Sequence, residues 1–186
     1  MTTRKLRTPA LDALVPQERA TVLAELLAAH PELAEAAERL ATEHLATADR
    51  DAVAEEVASD LRSLEVEDVW ERTGRQPGLG YVHENEAASM VAEETVQPYV
   101  DDMKRVAKLG MHAAARELCL GILIGLYDCR DEDDDSALGR APAADFTADH
   151  AGYVVTELRT AGLDLPQDAL AAAVPDWAEF LERQAR

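Results

Sequence analysis

One segment of the chain, residues 112–129, carries apolar residues on every side of a helix. Its large aliphatic side chains are Leu118, Leu120, Ile122, Leu123, Ile124 and Leu126. A helix that is apolar all round is buried on all sides. The longest strongly apolar run, Cys119 to Tyr127, is far shorter than the roughly 20 residues that cross a membrane. Residues 112–129 are therefore predicted to be the central helix of a globular fold, and no membrane partner is expected.

Apolar stripes at three- and four-residue spacing predict helices ahead of this segment, and no stretch alternates apolar and polar residues over six positions. The first stripe consists of Val22, Leu23, Leu26 and Leu27. Pro31 is expected to end that helix and begin the next, which favours an antiparallel hairpin. Asp49 is predicted to cap a third helix, and a short fourth helix covers 66–72.

Two further helices are predicted between the glycine-rich loop at 74–84 and the central segment. Asn85 is expected to cap the first of them. Pro98 removes a backbone donor, so a break is expected near Gln97, and a second helix continues to Gly110.

Three helices are predicted after the acidic run at 131–135. Asp145 or Thr147 is expected to cap the first, which Gly162 ends. Short helices at 167–174 and 176–184 complete the chain.

These elements predict an all-α fold. We expect stacked antiparallel αα-hairpins, a short array like HEAT or TPR repeats, around the central helix 112–129. Residues 1–15 are predicted to be an N-terminal tail, and residues 16–186 a single helical domain.

The charge of the chain restricts the partners that it can bind. It has 18 Lys+Arg against 37 Asp+Glu, a formal net charge of −19. Nucleic acids are bound through Lys and Arg that displace counterions, so no direct nucleic-acid binding is expected. The acidity favours a protein partner with a basic surface, and salt adaptation is an alternative reason for it.

The two cysteines, Cys119 and Cys129, are ten residues apart. On one helix they are about 15 Å apart, too far for a disulfide. Two lone thiols fit a reducing compartment, so a cytoplasmic location is expected.

From Gly80 onward the order of segments resembles a known helical region. GYVHENEA opens a helix, KLGMHAAARELCLGILIGLY follows, and DEDDDS forms an acidic loop. Over roughly residues 50 to 140 this layout is similar to the helical-repeat region beside SWIM zinc fingers in bacterial proteins. The CxC and CxH signature of that zinc finger is absent from the sequence, so its zinc and nucleic-acid roles do not carry over. The resemblance implies a helical scaffold without assigned chemistry.

The acidic run supplies the candidate metal ligands Asp131, Asp133 and Asp135, which match the first three ligand positions of a calcium loop. Ser136 stands at the position that requires glycine, and Pro142 at the position of the bidentate glutamate, so this is not an EF-hand. A solvated surface loop is the alternative. No cofactor is expected.

Gly121 and Gly125 form a GxxxG pattern inside the central segment. Without a membrane-length span, we expect these glycines to let a neighbouring helix approach closely.

A partner contact is predicted around the loop 74–84, because aromatic and arginine residues are enriched at protein interfaces. The alternative is that Trp70 and Tyr81 fill gaps between helices. The candidate residues are Trp70, Arg72, Arg75, Tyr81, His83 and Glu84.

No catalytic motif is present in the sequence. The five histidines are scattered, none four residues from another, and the serines lack a GxSxG context. We therefore expect a non-enzymatic protein–protein interaction module with an acidic surface. The alternatives are an acidic mimic of DNA that inhibits a nucleic-acid-binding protein, and a metal-dependent enzyme that uses carboxylates near the acidic loop or Glu93 and Glu94.

Overall fold

The computed structural model describes residues 9–78, 80–130 and 143–184, with the backbone alone at 143–145. The chain forms two compact units, Met1–His44 and Leu45–Arg186. We refer to them as the N-terminal and C-terminal units.

The helices of the N-terminal part have an acidic residue in the first turn, and α1, α2 and the 3-10 turn also begin at a proline. They are α1 (Pro9–Asp12), α2 (Pro16–Ala29), a 3-10 turn (Pro31–Leu33) and α3 (Ala34–Leu45). At the start of α2 the backbone N–H of Val15 donates to the Glu18 carboxylate at 3.0 Å. Packing joins α2 to the 3-10 turn, and no residue of these helices is buried. The predicted antiparallel hairpin is not confirmed.

In the described residues of the C-terminal unit, the regular elements are helices and one hairpin of two short strands. Its elements are α4 (Arg50–Arg62), α5 (Val66–Arg72), β1 (Gly74–Gln76), β2 (Gly80–Val82), α6 (Glu84–Lys108), α7 (His112–Asp128), α8 (Ala143–Thr160), α9 (Gln167–Ala173) and α10 (Ala178–Gln184). The fold is all-α, as predicted, and the arrangement in stacked repeats stays a prediction.

Helix α7 is the central helix of this unit, as its apolar sequence predicts. It packs against α4, α6, α8 and α9. Ile122, Leu123 and Leu126 are fully buried. Cys119 and Cys129 are buried and form no disulfide, and burial raises the pKa of Cys119 to about 12. This thiol is therefore protonated and unreactive in the folded protein.

The two glycines of α7 face α4 at very short range, as predicted. A Cβ on Gly121 would lie 2.7 Å from the Arg50 carbonyl oxygen, and one on Gly125 would lie 2.7 Å from the Val57 Cβ. Polar contacts fix both ends of the pair: Arg50 Nε lies 3.2 Å from Glu117 Oε2, and Arg62 donates to the Asp128 carbonyl at 2.9 Å. Helices α4 and α7 therefore run in the same direction in direct backbone contact.

Helix α6 differs from its prediction at two points. It continues through Pro98, where a break was expected, because Val96 and Val100 on either side are fully buried. This burial offsets the missing backbone donor of the exposed Pro98. The predicted cap at Asn85 is also wrong. The strand β2 leads directly to His83, which is extended (φ −79°, ψ 158°) and precedes the first helical residue.

Helix α8 begins at Ala143, ahead of the predicted caps Asp145 and Thr147. Alanines at 143 and 144 are good helix formers and extend the helix upstream. Thr147 is consequently buried inside α8. Over the described ranges no helix has both the length and the apolar character needed to cross a membrane.

Candidate functional site

A two-stranded hairpin occupies the loop in which a partner contact was predicted. Strands β1 and β2 pair antiparallel, with Arg75 opposite Tyr81 and Gly74 opposite Val82. Gly74 and Gly80 have φ values of 100° and 89°, a backbone region that favours glycine. Strands of three residues give too short an alternation to be recognised, so the sequence predicted a loop.

The two faces of the hairpin have different environments. Val82 is buried against Val69 of α5 and against Ala87 and Ala88 of α6. This small apolar cluster attaches the hairpin to both helices. The side chain of Gln76 adds to it by donating to carbonyl groups at the end of α5, at 3.2 Å.

The outward face of the hairpin brings three of the predicted contact residues together. Arg75 and Tyr81 are directly opposite each other across the strands, and both are exposed. The ring of His83 lies edge-on to that of Tyr81, with centroids 5.0 Å apart. Residues 81 and 83 share a face because side chains in a strand alternate.

Trp70 on α5 is also exposed. The exposed fraction of its surface is 55%, and that of Tyr81 is 64%. Neither ring fills a gap between helices, so the alternative interpretation of these aromatics is wrong. Exposed large aromatic rings are the residue type that most often anchors a protein interface. We call Trp70, Arg75, Tyr81 and His83 the hairpin surface.

Arg72, another predicted contact residue, is already paired within the protein. Its guanidinium donates two hydrogen bonds to the Glu94 carboxylate, at 2.8 and 2.6 Å. This bidentate pair connects α5 to α6. Glu84 lies in the first turn of α6, where a negative charge is favoured by the helix dipole. Both residues therefore have structural roles at the edge of the hairpin surface.

The surface around the hairpin is acidic. A groove of about 330 Å³ between α5 and α6 is lined by Asp68, Glu71 and Glu94, among other residues. Arg72 is the basic side chain in this groove, and Glu94 neutralises it. The groove is therefore suited to a basic group.

The candidate metal ligands Asp131, Asp133 and Asp135 lie outside the described residues. Within the described part of the chain, no group of three or more His, Cys, Asp or Glu side chains is arranged to hold a metal ion.

Sequence reasoning missed an aromatic cluster around His150 on α8. This side chain is 8% exposed and stacks on Phe146, with centroids 5.2 Å apart, and the tilted ring of Tyr153 lies 5.6 Å from it. Among the described residues its Nε2 atom has no hydrogen-bond partner. Burial lowers the pKa of His150 below its usual 6.5, and the nearby Glu93 opposes this shift. The spacing of residues 146, 150 and 153 along one helix face is the signal that could have revealed the cluster.

His150 is expected to make the stability of the protein sensitive to pH. As the pH falls below about 6.5, the unfolded chain takes up a proton that the folded state resists, so stability decreases toward the lowered pKa. Replacing His150 with phenylalanine should remove this loss. The difference in unfolding free energy between H150F and the unmodified protein should therefore grow from about pH 7.5 to about pH 5, as measured by urea denaturation.

The matched control is the exposed His112, replaced by phenylalanine in the same way. H112F should follow the unmodified protein at every pH. If the curves of H150F and the unmodified protein stay parallel, His150 is not the group that responds to pH.

The sequence matches no protein-family model, no curated protein and no solved structure. The resemblance to the region beside SWIM zinc fingers accordingly stays a prediction.

Proposed function

We propose that this chain is a non-enzymatic module that binds another protein through the hairpin surface. One observation carries the proposal: Trp70 and Tyr81 both expose more than half of their surface on neighbouring elements of one unit. Large apolar rings left in water cost solvation free energy, which a partner recovers by covering them. The hairpin is fixed to α5 and α6 by the buried Val82, so its rings are held in place before binding.

The partner that fits this surface has a basic face. Glu67 and Glu71 are exposed on α5, which also carries Trp70, and Glu84 and Glu86 are exposed at the start of α6, which follows β2. Arg75 is exposed on the hairpin itself, so the carboxylates outnumber the cations around the site. Complementary charges of this kind speed association and select among partners. Basic proteins are preferred over nucleic acids, because the phosphate backbone carries the same sign of charge as this surface.

The scaffold in this proposal is a short array of stacked αα-hairpins, and the protein acts in the cytoplasm. The two buried thiols, which form no disulfide, are compatible with a reducing compartment. The resemblance to the helical region beside SWIM zinc fingers supports a scaffold role.

The proposal is tested by replacing Trp70 and Tyr81 together with alanine. The unmodified protein and the double variant are immobilised and exposed to the proteins of the source cell, and retained proteins are then purified. In titration calorimetry a genuine partner should bind the double variant at least about tenfold more weakly. Its affinity for the unmodified protein should also fall as salt is raised.

The matched control is Leu109, which is 55% exposed at the end of α6, as exposed as Trp70. Leu109→Ala should bind the partner normally, and circular dichroism should show all three proteins equally folded. The proposal fails if no protein is retained, or if the retained protein binds W70A/Y81A as tightly as the unmodified chain.

A further inference from the structure

A cavity of about 270 Å³ lies beside α6 and is lined by Met90, Glu93, Glu94 and Gln97. The last three residues follow Met90 by three, four and seven positions, so all four share one side of the helix. Glu94 is held at one flank of the cavity by its pair with Arg72 of α5. The volume is slightly below the range of sites for drug-sized ligands, so the cavity suits a small molecule.

The other flank of the cavity is the seam between α6 and α8. The hydroxyl of Tyr153 donates to Gln97 Oε1 at 3.2 Å. Glu93 lies one turn before Gln97, His150 lies one turn before Tyr153, and the charge of Glu93 acts on the imidazole of His150. The two helices therefore run in the same direction here, and two of the residues that line the cavity interact with the aromatic cluster of α8.

Two buried polar atoms of α8 lack a hydrogen-bond partner among the described residues. They are Thr147 Oγ1 and His150 Nε2, on residues that are 2% and 8% exposed. Residues three positions apart are neighbours on a helix, so both atoms belong to one turn of α8. Buried polar atoms without a partner are rare in folded proteins, because each one costs solvation free energy. A ligand that hydrogen-bonds to His150 at the seam would remove part of this cost.

The groups at the seam restrict the chemistry of such a ligand. Burial keeps the imidazole of His150 neutral, and a neutral ring nitrogen without a proton accepts a hydrogen bond. The carboxylate of Glu93 is also an acceptor, and no described residue forms an ion pair with it. A ligand that satisfies both residues is a cation with at least two N–H donors.

A primary ammonium group meets this requirement, because it carries three donors on one charged nitrogen. A metal ion is a poorer fit, since the described residues place no group of three His, Cys, Asp or Glu side chains together. The net charge of −19 also raises the local concentration of cations. The half-buried Met90 gives the cavity an apolar wall, which suits a ligand with an apolar body.

We propose that the cavity between α6 and α8 binds a small primary amine with an apolar body. The ammonium group donates to the Glu93 carboxylate and to Nε2 of His150, and the apolar body lies against Met90. This site is separate from the hairpin surface and requires no protein partner. A lysine side chain of another protein carries the same ammonium group, so the experiment includes both sources.

The probe is phenethylamine, titrated into the full chain at pH 7.5 and followed by two-dimensional NMR of the backbone amides. Saturable shifts are expected at residues 90–97 and 150–153. Two analogues of the same shape are the controls: 2-phenylethanol, which has no charge, and the trimethylammonium derivative, which has the charge but no N–H. Phenethylamine should bind at least about tenfold more tightly than either control.

The variants test the two acceptors separately. Glu93→Gln should weaken binding of phenethylamine at least about tenfold, because it removes the charged acceptor. His150→Phe keeps a ring in the aromatic cluster and removes the nitrogen, and should weaken binding about fivefold or more. Glu179→Gln, which removes an exposed charge on α10, should bind normally. W70A/Y81A should also bind normally, so this proposal and the proposed function can fail independently.

Nα-acetyl-lysine methylamide is the second probe and distinguishes the sources of the amine. Tighter binding of phenethylamine identifies a free amine as the ligand, and tighter binding of the lysine derivative identifies a lysine of another protein. Circular dichroism checks that each variant is folded. Three results would overturn the proposal: shifts that do not saturate, a trimethylammonium derivative that binds as tightly as phenethylamine, or unchanged binding to a folded Glu93→Gln variant.

Discussion

Replacing Gly121 and Gly125 together with alanine is expected to lower the free energy of unfolding by about 2–4 kcal/mol. The added methyl groups would lie 2.7 Å from the Arg50 carbonyl oxygen and 2.8 Å from that of Ala54. Both contacts are with the backbone of α4, which cannot move aside as a side chain can. The helices must therefore separate, and the packing of the core around α7 loosens. Alanine favours the helix by about 1 kcal/mol per site, which offsets only part of this cost.

The control for this experiment is Gly152→Ala in α8. The three atoms nearest to a Cβ there all belong to the side chain of Gln184, the closest at 3.0 Å. Because that side chain is flexible, G152A should be neutral or stabilising by up to about 1 kcal/mol. Urea denaturation of both variants measures the difference. A G121A/G125A variant as stable as the unmodified protein would show that α4 and α7 are not in backbone contact.

Replacing Pro98 with alanine is expected to raise the free energy of unfolding by about 2 kcal/mol. Pro98 is exposed in the interior of α6 and gives the helix no backbone N–H at that position. Alanine restores the donor and removes the clash of the proline ring with the preceding turn. Val96 and Val100 are already buried with proline present, so the substitution requires no new packing. Thermal and urea unfolding measure the gain.

Pro98→Gly is the control that separates the restored hydrogen bond from helix propensity. Glycine also supplies the N–H, but it costs about 1 kcal/mol relative to alanine in a helix. P98G should therefore gain less stability than P98A. If both substitutions are destabilising, a bend at Pro98 is needed to bury Val96 and Val100, which contradicts the expected gain.

Local signals in the sequence predicted several elements correctly. Asp49 caps α4 by accepting from the Ala52 N–H at 3.1 Å, as its type and position indicate. The continuity of α6 could not be predicted, since it depends on the burial of residues on both sides of Pro98. The apolar stripe of α2 was expected to pack in a hairpin, but its side chains are exposed. A stripe shows that a face needs cover, and does not show whether the same chain supplies it.

The candidate site was predicted only in part, because some of its contacts depend on how the helices pack. The grouping of Tyr81 and His83 follows from the two-residue period of a strand, although the strand itself was missed. The ion pair of Arg72 with Glu94 joins residues 22 positions apart, and only the packing of α5 on α6 brings them together. The exposure of Trp70 likewise depends on which side of α5 covers the small cluster around Val69.

The contact between α4 and α7 also has a consequence for synthesis on the ribosome. Ala58 and Cys129 touch in the folded protein, although 71 residues separate them in the chain. At about 5–20 residues per second, α4 leaves the ribosome several seconds before the helix that it packs against. During that interval its apolar residues Val57 and Leu61 have no α7 to bury them. The nascent chain therefore passes through a stage in which chaperones can bind α4.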